Sequence, residues 1–239
     1  MYLKESEQAY DRLPRLELSD LEYGDIINMT PGRVGSASPI RIAYRHIVNY
    51  QRRQWGEPLI YSTHTWFHLW MGRFFEVTPP RAIHKKIYDL ADLNPTKHFP
   101  VCRYRDWRIE TAEEREIFWR AMQALHHTPY GYTNLVSILI NQIIGWPKAH
   151  YLPLLDISRR AKVCSTLARG LWMAWYERYA KPRGLDVRRP GGPLHVERTD
   201  PALFENQQTF ELIGVLNAGA ARRRPALNPQ LCSNRRKDR

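Results

Sequence analysis

Ser62-Thr63-His64-Thr65-Trp66-Phe67-His68-Leu69-Trp70-Met71-Gly72-Arg73-Phe74-Phe75-Glu76-Val77-Thr78 is the stretch that decides how this chain is read. It alternates polar and apolar residues on both sides of Gly72, the pattern of two strands joined by a tight turn. Gly72 can take the positive φ that the last position of a three-residue loop, Trp70-Met71-Gly72, requires. That loop sets Leu69 opposite Arg73 and Trp66 opposite Glu76. His64, His68 and Glu76 then share one face of the hairpin, each histidine one diagonal step from the carboxylate. A two-residue loop would turn Glu76 to the other face. Two imidazoles beside an acid suit a base oriented by a carboxylate, and the rest of the chain must then supply a nucleophile.

Cys164 is the candidate. From Cys164 onward, Leu167, Ala168, Leu171, Trp172, Trp175 and Tyr179 follow helical spacing and stop before Pro182, which predicts a long, buried helix with the cysteine in its first turn. There the helix dipole favours a thiolate, as do the neighbouring cations Arg159, Arg160 and Lys162. The competing reading is a small core residue, since free cysteine is among the most buried residue types. Cys102 falls in an apolar stretch and reads as core; Cys232 lies near the chain end. Three cysteines without C-x-x-C spacing argue against a zinc knuckle or a full disulfide framework, and fit a reducing compartment. A metal site in the hairpin asks for three or more ligands. The other nearby candidates, His84 and His98, lie outside it, so neither metal nor cofactor is expected.

Outward from the hairpin the elements are short. Ile26 to Met29 is a strand after the Gly24-Asp25 turn, closed by Thr30-Pro31-Gly32. Ser38 to Trp55 has the spacing of an amphipathic helix. Pro79-Pro80 ends the second hairpin strand, because proline donates no ladder hydrogen bond. Phe99 to Tyr104 reads as a further strand. Thr111-Ala112-Glu113-Glu114 has the capping-box form and opens a helix to about His126. An apolar helix from Asn134 to Ile144 follows the loop His126 to Tyr132, and a short segment, Phe204 to Val215, packs on the domain. The whole is an α+β domain over residues 23–216, with an N-terminal arm at 1–22 and a basic tail at 217–239.

The chain carries a net charge of +12 over 239 residues. Half of that excess sits beyond Asn217, where seven arginines and lysines face Asp238 alone. Such a tail attracts any polyanion weakly and in a salt-dependent way, without specific nucleic-acid recognition. A hydrophobic fraction of 43% with eight tryptophans indicates a packed globular protein. No apolar run reaches the roughly 18 residues of a membrane span, and Met1 to Asp20 has no signal-peptide core. A cytoplasmic protein is the default expectation; export by a route without an N-terminal signal stays open.

Several motifs stand in a telling order. Gly24-Asp25-Ile26-Ile27 precedes Ser62-Thr63-His64-Thr65, which opens an apolar strand. Phe75-Glu76-Val77-Thr78-Pro79-Pro80 then places its glutamate twelve residues past His64. Thr128-Pro129-Tyr130-Gly131-Tyr132 and Val163-Cys164-Ser165-Thr166-Leu167 follow. Over roughly Tyr23 to Tyr179 this resembles the circularly permuted branch of the NlpC/P60 superfamily of papain-like hydrolases, the YiiX-type proteins, with lecithin:retinol acyltransferase more distant. The resemblance implies a permuted papain-like fold, with an antiparallel sheet packed against the cysteine-bearing helix. It implies Cys164 as nucleophile, His64 as base in preference to His68, and Glu76 as the group orienting the imidazole. Tyr130 matches a recurrent tyrosine near the cleft. The chain departs from the family's usual Cys-Ser-Glu-Leu, having Thr166 in the third place, and carries Trp66 and Trp70 in the histidine strand. The implied reaction is hydrolysis of an amide or ester through an acyl-enzyme. The implied substrates are peptidoglycan peptides, or acyl groups of lipids as the alternative. A non-catalytic binding module whose basic tail docks to a polyanion is the rival from another class.

Overall fold

The computed structural model describes residues 10–30, 62–78, 80–87, 89–90, 93–94, 97–131, 163–193, 199, 201–206 and 208–218. The helices expected over residues 38–55 and 134–144, the tail beyond residue 218, Cys232, and Arg159, Arg160 and Lys162 lie outside these residues.

Among the described residues seven strands form one sheet: β1 (Arg15–Leu16), β2 (Ile26–Met29), β3 (His64–Trp70), β4 (Arg73–Thr78), β5 (Arg81–Lys86), β6 (Pro100–Tyr104) and β7 (Phe210–Leu216). Their spatial order is β1-β7-β6-β2-β3-β4-β5. β1 runs parallel to β7 and every other pair is antiparallel, so the sheet is mixed rather than purely antiparallel. The architecture is α+β. Two elements differ from expectation. Thr78 does end β4, but the chain turns and Arg81–Lys86 pairs along the whole of β4 as an edge strand. The segment after Phe204 is a short helix, α3 (Ala202–Asn206), followed by β7, which lies inside the sheet between β1 and β6. Within the N-terminal arm, β1 joins the sheet.

The hairpin turn also differs. Trp70 pairs with Arg73 across a two-residue turn, in which Met71 (φ 47°) and Gly72 (φ 69°) are both left-handed, as the twist of a tight hairpin favours. A Cβ on Gly72 would fall 2.2 Å from the carbonyl oxygen of Ile87, so only glycine fits there. One residue further back the ladder shifts. His68 pairs with Phe74 and Phe67 with Phe75, leaving Leu69 as a bulge. The extra residue cancels the shorter turn, so the register beyond it is the one that puts Glu76 on the face of Trp66 and His68.

One face of the sheet carries the helices. Ile26, Phe67, Leu69, Phe75, Val77, Cys102 and Tyr104 pack against α1 (Ala112–Leu125) and α2 (Cys164–Trp175). Thr111 caps α1 as its sequence indicated: its Oγ1 accepts from the Glu114 N–H, and Glu114 accepts from the Thr111 N–H at 2.9 Å. The same buried carboxylate accepts from the indoles of Trp107 and Trp175 at 2.5 and 3.2 Å, tying α1 to α2. Past Trp175 the helix continues as a π-type turn to Ala180 and a 3-10 turn containing Pro182. Trp172 locks α2 to the sheet by donating to the Gly24 carbonyl at 3.0 Å. Gly24 has φ 92°, and a Cβ there would meet the indole at 2.7 Å. The opposite face, with Ile27, Trp66, Phe74, Val101 and Leu216, is covered by Leu21, Ile87, Leu90, Leu93 and Phe99.

Candidate active site

β3 begins at His64, and its alternation puts His64, Trp66 and His68 toward the face away from the helices. Glu76, on the neighbouring strand, turns to that same face. His64 Nε2 and Glu76 Oε2 stand 2.6 Å apart. Cys164 is the first residue of α2, after an extended Val163 (φ −95°, ψ 163°), and belongs to the helix-side core. His64 is the first residue of β3, and its ring is within reach of both the Glu76 carboxylate and the Cys164 side chain. With Nε2 committed to Glu76, Nδ1 is the nitrogen left for Cys164, whose side chain is within hydrogen-bonding reach of the ring. The structure therefore brings His64, Glu76 and Cys164 together.

The electrostatics follow from that packing. Burial alone would disfavour an imidazolium at His64. The charge and hydrogen bond of Cys164, then those of Glu76, outweigh it and push the imidazole up to about 10 from an ordinary 6.5. For Glu76, burial would raise the carboxyl, but the bond and charge of His64, with Lys85 behind them, hold it below its usual range. The pair is thus poised as imidazolium and carboxylate near neutral pH.

His68 shares the face and does something else. Its Nδ1–H donates to the backbone carbonyl of Glu22 at 2.7 Å, and Nε2 is buried with no hydrogen-bond partner. Burial lowers its pKa, so the ring stays neutral and structural. Cys102 is fully buried in β6, where burial, then the charges of Glu205 and Asp25, push its thiol well up. Tyr130 packs against the helix-side core cluster that also contains Cys164. Among the described residues no group of three or more histidine, cysteine or acidic side chains could hold a metal ion, and no helix is long and apolar enough to cross a membrane.

The start of β3 is held by a buried polar network. Thr65 Oγ1 donates to Asn28 Oδ1 at 2.8 Å, and Asn28 Nδ2 donates to the Pro201 carbonyl at 2.7 Å and to Glu205 at 2.5 Å. Ser62 Oγ donates to the same Glu205 oxygen at 2.7 Å. α3 thereby anchors the residues on either side of His64, although Glu205 is 141 residues away in the chain. At the other partner, Ser165 Oγ donates to the Thr199 carbonyl at 2.6 Å, and Thr166 Oγ1 caps the first turn of α2 by accepting from the Val163 N–H at 3.1 Å.

A cleft of 640 Å³ opens on the face of Glu76. His64 lines it, whereas Cys164 is 5% exposed and is not among its described lining residues. Two lysines line the cleft that the sequence pattern did not single out. Lys85 comes from β5, whose sequence Ala82-Ile83-His84-Lys85 shows no alternation. Lys97 comes from an irregular segment before β6, for which no local pattern exists. Comparison of this chain with protein-family models, with curated proteins and with solved structures finds no match.

Proposed function

We propose that this chain is a cysteine hydrolase of permuted papain-like fold that cleaves an amide or ester bond through an acyl-enzyme. The observation that carries the reading is the 2.6 Å His64–Glu76 bond on a ring that also reaches Cys164 at the start of α2. The order of the parts supports it: the base and acid strands precede the cysteine helix, as in the YiiX-type NlpC/P60 proteins that the motifs resemble.

In the mechanism, the Cys164 thiolate attacks the substrate carbonyl carbon, and the new C–S bond leaves a tetrahedral oxyanion. The first-turn N–H groups of α2 have no partner one turn back in the helix and are the natural donors to that oxygen. Collapse breaks the carbonyl's bond to the leaving nitrogen or oxygen, and the His64 imidazolium donates its proton to that atom. Water then attacks the thioester as the neutral imidazole takes its proton. The thiolate departs, regenerating the ion pair. Glu76 keeps the ring oriented with Nδ1 toward the sulfur throughout.

Alkylation with iodoacetamide, read by mass spectrometry, tests the centre. Cys164 is expected to react much faster than Cys102, and His64→Ala to slow Cys164 alone. Equal, slow labelling of both cysteines would sink the proposal. Incubation with purified peptidoglycan and with phospholipid, followed by product analysis against Cys164→Ala, identifies the substrate class.

A further inference from the structure

The tip of the β3–β4 hairpin departs from the usual chemistry of its turn. Two successive left-handed positions between paired strands are the place of Asn-Gly or Asp-Gly. Here they are Met71 and Gly72, with Met71 at φ 47°, a conformation that disfavours any side chain unable to bond its own backbone. No packing offsets this, because Met71 is 85% exposed, the most of any large apolar residue among those described. One exposed apolar side chain is ordinary; one held on an unfavourable backbone points to a use outside the fold. Its neighbours widen the apolar tip and set cations beside it. Trp70 is 40% exposed and stacks on Tyr23, ring centres 6.4 Å apart, and Tyr23 in turn meets Phe118 of α1 at 5.6 Å. Arg73 stands over the Trp70 ring, 5.5 Å from its centre. Arg115, exposed on α1, is close enough to the Tyr23 phenol for its charge to act there. Neither arginine is in an ion pair among the described residues. The acidic groups beside them in sequence are engaged elsewhere, Glu22 with Arg103 at 2.6 Å and Arg108 at 3.1 Å, Glu116 with Arg120 at 2.8 Å.

We propose that this hairpin tip docks the protein on an anionic membrane surface, with Trp70 and Met71 entering the interfacial layer and Arg73 meeting the lipid phosphates. Shape and charge select that occupant. A convex tip with two apolar side chains needs no preformed pocket in a bilayer, whereas a protein partner would have to supply one. Tryptophan favours the headgroup layer, where its ring is in apolar contact and its N–H is wet, and a guanidinium beside it suits phosphate. The net charge of +12 draws the chain toward a negative surface before the tip makes contact. Trp70 stands six residues along β3 from His64, ~20 Å of strand. The docking surface is therefore separate from the His64–Glu76 pair and stands whether or not that pair is catalytic.

The test is sedimentation of the full chain with vesicles of phosphatidylglycerol and, separately, of phosphatidylcholine, at low and high salt. Phosphatidylglycerol is expected to bring the protein down and phosphatidylcholine far less. Met71→Asn is the decisive variant, because asparagine accepts the left-handed turn, leaves the net charge unchanged and removes the apolar side chain. It should keep or raise the urea midpoint while weakening binding about tenfold, the scale of withdrawing one methionine side chain from water. Arg73→Gln should weaken binding about fivefold at low salt, and that effect should shrink at high salt. Equal binding to both lipids, or no binding to either, overturns the proposal. Unchanged binding in Met71→Asn overturns it too, and leaves the vesicles to the basic tail beyond Asn217. A lowered urea midpoint in Met71→Asn would make the side chain part of the fold and remove the premise. Poly-glutamate that displaces the vesicles and itself loses affinity in Met71→Asn would assign the tip to an acidic protein partner instead, and overturns the proposal as well.

Discussion

Glu76→Gln isolates the charge that holds the imidazolium. The substitution keeps the size of the side chain and a hydrogen-bonding oxygen, and removes the negative charge 2.6 Å from His64 Nε2. Two charges about 4 Å apart between their centres interact by roughly 4 kcal/mol at an effective dielectric of 20. Measured effects of one opposite charge at this range are about 1–3 pKa units, or ~1.4–4 kcal/mol. His64 stands at about 10 in the intact site, and Cys164 contributes to that elevation as well as Glu76. The variant should therefore titrate about 1–3 units lower and still above an ordinary histidine. The assay follows the ring C–H signal of His64 by nuclear magnetic resonance against pH, assigned by its absence in His64→Gln. His68 is the internal control, since its Nδ1–H bond to Glu22 is unrelated to Glu76. Under the proposed mechanism, in which the imidazolium is the acid that releases the leaving group, the same displacement should appear in the alkaline limb of kcat/KM. A His64 titration within 0.3 unit of wild type would refute the claim that Glu76 orients and charges the base.

Other expectations concern the frame around the site. His64, raised in the fold, stabilises it fully below its unfolded value of 6.5 and loses that contribution as pH climbs toward about 10. Glu76, lowered in the fold, stabilises it above its unfolded value of 4.5 and loses that as pH falls. Urea midpoints of wild type and the His64→Gln/Glu76→Gln double variant should hence differ most between pH 4.5 and 6.5; a difference that grows toward pH 10 contradicts the pairing. Gly24→Ala combines a left-handed φ, costing about 1–2 kcal/mol, with overpacking against Trp172 of roughly 1–3 kcal/mol. Denaturant unfolding should show a loss of at least about 2 kcal/mol. Arg103 forks onto the buried Asp25 with bonds of 2.8 and 2.7 Å. Arg103→Met strands that carboxylate and should cost about 3–5 kcal/mol in the same assay. Arg15→Met at the exposed Arg15–Asp11 pair should change little.

The shared face of His64, His68 and Glu76 was legible because a period of two along paired strands decides which side chains lie together, whereas the preference for His64 over His68 came from the family resemblance. The turn was not, because Met71 adopts a left-handed conformation that nothing in a methionine advertises, and the bulge at Leu69 corrects the register without any marker residue. Cys164 was legible through the apolar stripe that starts at it and the polar, proline-interrupted connection before it. β5 was hidden by its composition: Arg81, His84, Lys85 and Lys86 suit an edge strand whose outer side faces solvent, and local pattern reads that as loop. β7 is apolar enough to be recognised as an element, but its place inside the sheet depends on pairing with β6 and β1, contacts that span more than a hundred and two hundred residues respectively. The Glu205 network and the Lys97 cleft are likewise products of tertiary approach and leave no local trace.

The position of β7 sets a schedule for synthesis. The sheet joins strands far apart in sequence, and among the described residues the place between β1 and β6 is filled by residues 210–216. α3, which steadies the beginning of β3 through Asn28, Ser62 and Thr65, emerges just ahead of them. A nascent chain that has already exposed His64, Glu76 and Cys164 thus lacks the parts that hold His64 in place. Residues 201–216 must therefore emerge before His64, Glu76 and Cys164 can take up the arrangement described above.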